Sequence, residues 1–154
     1  MSDDNPALRA VAASRLPHQV VRTDLPDSPE QSAELQGIPL GALLRTIVVR
    51  RGADDYLFVL VPAGRRLDWP KLRAHLGVSR LSLPDADEAR AASGYERFTI
   101  TPFGATHPWP VVADASLLEH EVVSIGGGVR GVNIHAAPAD LASALGAVLV
   151  DVTS

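Results

Sequence analysis

Two stretches, Leu43-Leu44-Arg45-Thr46-Ile47-Val48-Val49 and Tyr56-Leu57-Phe58-Val59-Leu60-Val61, are apolar on both of their alternating faces. A strand of this kind has no face to offer water, so both sides must be covered by other elements. Gly52-Ala53-Asp54-Asp55 lies between them and reads as a hairpin loop. The two stretches are therefore expected to be neighbouring antiparallel strands in the middle of a sheet. One cation interrupts the first. Alternation places Leu43, Arg45, Ile47 and Val49 on one face and Leu44, Thr46 and Val48 on the other, so Arg45 is expected to point into the interior or a pocket. An unpaired charge there is costly. Three readings remain open: an ion pair with a buried carboxylate, a strand end from which the guanidinium reaches water, or a cation that meets an anionic or polar ligand.

The flanking chain interleaves helices with strands. Asn5-Pro6 opens a short helix carrying Leu8, Val11 and Ala12, and Gln19 to Arg22 reads as a strand. Ser28 with Gln31 forms a capping box for a helix that runs to about Gln36 and stops at Gly37. Asp68 caps a helix from Trp69 to about Leu76, and Asp85 with Glu88 opens another that ends near Ser93-Gly94. Tyr95 to Pro110 is a long loop. Short strands follow at Val111 to Ala113, Glu121 to Ile125, Val132 to His135 and Ala147 to Val152, with a helix from Pro138 before the last. Hairpin connections between several strands predict an α+β fold: a curled mixed, largely antiparallel sheet with surrounding helices, not a doubly wound parallel one.

Composition narrows the function classes. The 154 residues fit a single domain over 1–154, with 46% hydrophobic and 21% charged residues. A net charge of −4 excludes a broad electrostatic grip on duplex nucleic acid, DNA included, but leaves room for a local basic patch on an RNA end. The absence of cysteine excludes disulfides, thiolate zinc sites and a cysteine nucleophile. No apolar run reaches membrane length, and Ser2-Asp3-Asp4 does not read as a signal peptide, so a cytoplasmic location is expected.

Several motifs are set aside on spacing. Gly126, Gly128 and Gly131 satisfy G-x-G-x-x-G, yet a strand pattern follows where a dinucleotide-binding loop needs a helix. The glycines then serve a turn needing positive φ, or a bare loop whose amides approach a ligand. His18, His75, His107, His120 and His135 form no metal-binding pair, and no metal or cofactor is expected. Ser116 follows Asp114 without a nucleophile elbow, so a serine triad is not expected and Asp114 reads as a turn residue. Arg50, Arg51, Arg65, Arg66, Lys71, Arg73 and Arg80 concentrate positive charge in one third of the chain. They form either a solvated face or, if they converge, a surface suited to a phosphate backbone.

The order of these features resembles the YbaK/prolyl-tRNA synthetase editing-domain family of aminoacyl-tRNA deacylases, over roughly residues 5 to 152. The residues that carry it are the helix from Ser28 to Gly37, Arg45-Thr46-Ile47-Val48-Val49, Leu67-Asp68, Gly94-Tyr95, Thr101-Pro102-Phe103-Gly104, Asp114, Gly126 to Gly128 with Arg130-Gly131, and Pro138-Ala139-Asp140-Leu141. The resemblance implies hydrolysis of mischarged aminoacyl-tRNA in trans. The tRNA acceptor end carrying an amino acid would be the partner, and its own terminal ribose hydroxyl would help to activate water. It casts Arg45, Gly126, Gly127 and Gly128 as catalytic and Thr46, Gly94, Phe98, Thr101, Pro102, Asp114 and Asn133 as substrate-binding. Three positions depart from the family pattern: Arg45 replaces its lysine, Phe98 the first glycine of its G-x-x-x-P loop, and Asn133 an acidic residue. A non-catalytic relative that binds an aminoacyl or nucleotide ligand, or a partner protein, in the same pocket is the alternative reading.

Overall fold

A computed structural model describes residues 5–154. In chain order it contains α1 (Pro6–Ser14), β1 (Gln19–Arg22), α2 (Pro29–Gln36), β2 (Leu44–Gly52), β3 (Asp55–Pro62), α3 (Trp69–Leu76), α4 (Ala86–Ser93), β4 (Val111–Asp114), β5 (Val123–Gly126), β6 (Val132–Ala136), α5 (Pro138–Leu145) and β7 (Val148–Val150). The helix starts follow the capping signals. Side chains of Asn5, Ser28, Asp68 and Asp85 accept the N–H groups of Leu8, Gln31, Lys71 and Glu88 at 2.8–3.0 Å, which meets one otherwise unpaired donor in each first turn.

The strands form two sheets, one of order β1-β6-β5 and one of order β2-β3-β4-β7. The first is antiparallel throughout. In the second, β2 and β3 are antiparallel, whereas β3-β4 and β4-β7 are parallel. The α+β class holds, and the antiparallel pairing of β2 with β3 is as expected. The single curled sheet is corrected to two, because among the described residues only an isolated parallel bridge, Leu43 to Ser124, joins them.

β3 is buried on both faces. Phe58 and Leu60 enter a core between the sheets with Leu44, Val48, Ile125, Ile134 and Leu141. Leu57, Val59 and Val61 enter a second core beneath α3 with Val49, Leu72 and Val152.

β2 is not central. It pairs with β3 on one side, and among the described residues its other side carries only the Leu43–Ser124 bridge near its start and an Arg50–Ser82 bridge near its end. Arg50 and Ser82 exchange two backbone hydrogen bonds of 2.8 and 3.0 Å. Because amides alternate along a strand, the N–H and C=O groups of Thr46 and Val48 face the same open side. An apolar strand reads alike in sequence whether its edge meets a strand or a cavity, which is why β2 was expected in the middle.

Asp114 ends β4 as a buried clamp. Its carboxylate accepts the Ser116 N–H and hydroxyl and, at 3.0 Å, the N–H of Val152. Asp114→Ala should leave these donors unmet, at about 1–3 kcal/mol for each buried one, so a urea melt should show a loss of at least about 2 kcal/mol. A midpoint unchanged from the parent would contradict this role.

Candidate functional site

The open edge of β2 forms one wall of a cavity of about 780 Å³, within the range of small-molecule sites. Leu43 to Val48 line that wall, and Gly126, Gly128 and Asn133 of the β5–β6 hairpin face it. Ser28 and Ser32 of the α2 start, the segment Leu83 to Ala86, and the loop Arg97 to Ile100 complete the enclosure. The two strand edges that meet here run parallel from the Leu43–Ser124 bridge. Continued, that register would set Arg45 opposite Gly126. The strands splay instead, and the cavity occupies the gap.

The glycine loop divides by hydrogen bonding. Gly127 donates its N–H to the Val132 carbonyl at 2.8 Å, so this amide is committed to the hairpin, and Gly127 is not among the lining residues. Alternation then turns the N–H and C=O of Gly126 away from β6, towards the cavity. Gly128 has φ +87°, and a Cβ there would lie 2.9 Å from that of Ala7 and 3.2 Å from the Tyr95 ring. It needs both the left-handed backbone and the missing side chain.

Arg45 departs from expectation. It lines the cavity, but its side chain is exposed, and Nη2 donates to the Arg65 carbonyl at 2.9 Å. It is neither buried nor paired with a carboxylate among the described residues. The strand's open edge gives the long guanidinium a way out to solvent. Thr46 lines the cavity, and its buried hydroxyl has no hydrogen-bond partner among the described residues. Asn133 and Phe98 also line it. Gly94, Thr101, Pro102 and Asp114 do not. Gly94 caps α4, and a Cβ there would collide with Thr106. Thr101 is fully buried, and Pro102 accepts the Ala105 N–H. Asp114 acts in the clamp described above.

A polar chain behind the cavity was not singled out in the sequence. Ser32 Oγ accepts from Gln36 Nε2 at 2.9 Å, and Gln36 Oε1 accepts from Ser124 Oγ at 2.5 Å and meets His135 Nε2 at 2.9 Å. The Ser32–Gln36 spacing is a helical i, i+4 pair, but the link to Ser124 and His135 exists only once β5 and β6 pack against α2. Burial lowers the His135 pKa below its ordinary 6.5. The unfolded chain therefore binds the proton first on acidification, so this contribution to stability is present above about pH 6.5 and is lost as pH falls below it. The urea midpoint should fall between pH 7.5 and 5.5, and His135→Gln should flatten that fall. An equally steep fall in the variant would exclude His135 as its source.

Similarity to known proteins accords with this geometry. The family model of the aminoacyl-tRNA editing domain matches residues 25–144. The chain belongs to this family. EbsC of Enterococcus faecalis, a proposed Cys-tRNA(Pro)/Cys-tRNA(Cys) deacylase, is 24% identical over 127 residues, which cover 82% of this chain and 77% of EbsC. The proline–tRNA ligase of Thermosipho africanus is 31% identical over 98 residues, 64% of this chain but only 17% of the ligase. Among solved structures, a proposed trans-editing enzyme for prolyl-tRNA synthetase superposes with a TM-score of 0.86 at 24% identity, over 98% of this chain and 99% of that one. Among the described residues, no three His, Asp or Glu side chains gather into a metal-binding group, and no helix is long and apolar enough to cross a membrane.

Phe98, which the resemblance sets in place of a glycine, has a backbone conformation that favours glycine. Its φ is +70°, a region in which a Cβ costs roughly 1–2 kcal/mol. The ring does not fill the cavity. It is 80% exposed at the mouth, with the Arg97 guanidinium 4.9 Å from its centroid. The loop ends are fixed beneath it: the buried Tyr95 hydroxyl donates to the Phe103 carbonyl at 2.6 Å, and burial raises the Tyr95 pKa to about 12. Phe98→Gly should therefore stabilise the protein by on the order of 0.5–1 kcal/mol after the entropy cost of glycine. Phe98→Ala, which keeps the Cβ, should give no gain. Thermal melts of both variants check this, and a destabilised Phe98→Gly would contradict it.

Proposed function

We propose that this pocket hydrolyses the ester of mischarged aminoacyl-tRNA in trans. The observation that supports the reading best is the meeting of two unpaired strand edges, at Thr46 and Gly126, beneath a mouth carrying Arg45, Arg97 and Arg130. Backbone N–H groups that already point into a cavity can receive charge developing on a carbonyl oxygen with little reorganisation. In this reading the ester carbonyl lies against the Gly126 amide. Arg45 and Arg130 take the terminal phosphates, for which the planar guanidinium fork is well suited. The Arg97 to Ile100 loop bounds the amino-acid side chain, with Asn133 on the opposite wall. Asp114, Thr101 and Gly94 contribute only by holding the frame, and Gly127 by closing the hairpin.

Among the described residues no His, Lys or Cys lines the cavity; its two carboxylates, Asp27 and Asp85, are both exposed, and Asp85 accepts the Glu88 N–H. The reading therefore relies on positioning, with the substrate's own ribose hydroxyl orienting the water. Water adds to the ester carbon and the ester C–O bond breaks. The ribose oxygen takes a proton, releasing free amino acid and uncharged tRNA. The binding-only alternative draws on the same lack of a buried side-chain base, together with Arg45 and Asn133 in place of the pattern's lysine and acid.

Single-turnover deacylation of a panel of mischarged tRNAs tests the choice. At least one member should be hydrolysed well above its spontaneous rate. Arg45→Ala should lower that rate at least tenfold, the size expected for losing a charged contact to a bound ligand. Its melting temperature should hardly move, since the group is exposed and donates one hydrogen bond to a carbonyl. No hydrolysis of any member would leave the binding reading. A large fall in melting temperature with an unchanged rate would make Arg45 part of the scaffold.

A further inference from the structure

Past the pocket, β2 runs on to a second cavity of about 420 Å³ walled by Arg50, Arg51, Arg73 and Arg80 with the segment Ser79 to Ser82. Four of the seven clustered cations thus converge. Two are already compensated: Arg50 Nε lies 3.2 Å from the Glu88 carboxylate, and Arg51 donates to both oxygens of Asp55 at 3.0 and 3.2 Å. Arg73 and Arg80 have no ion-pair or hydrogen-bond partner for their guanidinium groups among the described residues. The groove therefore holds uncompensated positive charge on a chain whose net charge is −4.

It is also continuous with the pocket. Ser82 pairs with Arg50 and lines the groove, and the next residue, Leu83, lines the pocket. One wall thus serves both. Along β2, Thr46 and Arg51 are about 17 Å apart, a span that takes several nucleotides to cross. A free phosphate would not need that continuity, and planar guanidinium groups in a groove suit a chain of phosphodiesters.

We infer that this groove is a second contact for the substrate, holding the RNA phosphodiester backbone a few nucleotides away from the 3′ end that enters the pocket. The inference rests on the proposed reading that the pocket takes the tRNA acceptor end. It gives an acidic chain a way to hold RNA without a basic surface overall.

The test is the binding of an uncharged acceptor-stem hairpin with its single-stranded 3′ end, followed by fluorescence anisotropy at several salt concentrations. Arg73→Gln/Arg80→Gln keeps the apolar stems and breaks no ion pair, so a melt should confirm an intact fold. The double variant should bind the hairpin at least tenfold more weakly. Its slope of log affinity against log salt should be shallower by about 1.4–1.8, the value for two lost phosphate contacts. Shortening the RNA to its last three nucleotides should remove the difference between parent and variant. Equal affinity and slope for the hairpin, a difference that persists on the trinucleotide, or no hairpin binding by the parent would each overturn the inference. Hairpin binding needs no hydrolysis, so the two readings fail separately. A groove-dependent hairpin with no deacylation would sink the hydrolase reading alone. Deacylation without groove dependence would sink only this one.

Discussion

The unpaired edge of β2 between its two end bridges is the constraint on which the rest of the structure depends. Backbone N–H and C=O groups kept from a partner strand must find another partner or water, and an open edge invites pairing with a foreign chain. Here the Leu43–Ser124 and Arg50–Ser82 bridges pin both ends, and the intervening groups open into a cavity. The buried pairing with β3 holds the edge rigid from behind, and the two cores on either face of β3 fix its orientation. The site thus stands on a strand rather than on a loop, which favours a fixed placement of backbone donors and acceptors.

The opposite wall solves a complementary problem. β5 ends its sheet, and its hairpin to β6 commits the Gly127 amide while leaving Gly126 turned outward. The cavity is lined by apolar side chains such as Leu43, Ile47, Leu83 and Ile100, together with Thr46, Asn133 and the backbone of Gly126 and Gly128. Its charged groups sit at the mouth rather than at the centre. Such a distribution suits a ligand whose apolar or neutral part enters while its phosphates remain outside. Phe98 accentuates it by holding an aromatic face at the entrance on a backbone that disfavours any side chain. Strain of this kind persists where the surroundings over-determine it, and here the Tyr95–Phe103 hydrogen bond closes the loop.

Much of this was legible in the sequence, and the misses have physical causes. Capping residues Asn5, Ser28, Asp68 and Asp85 act locally, so they marked the helix starts within the chain itself. The strand after Gly131 was enough to separate the glycine loop from a dinucleotide fold. Alternation assigned Arg45 and Thr46 to opposite faces of β2, but it carries no information about edges. It therefore could not reveal that Arg45 escapes to solvent and bonds to Arg65. The parallel pairings of β4 and the clamp from Asp114 to Val152 join residues far apart in sequence. The same is true of the link from Gln36 to Ser124 and His135. A resemblance could point to Gly127 and Asp114, whereas only the hydrogen bonds tell that both are engaged in the frame.

The central claim is that the Gly126 edge receives the ester carbonyl of an aminoacylated RNA end. The most direct measurement is a crystal structure with a non-hydrolysable aminoacyl-adenosine amide. The account predicts the carbonyl oxygen within hydrogen-bond distance of the Gly126 N–H, with the amino-acid side chain towards the Arg97 to Ile100 loop. A carbonyl that turns away from Gly126, or an analogue bound outside the β2–β5 gap, would contradict it.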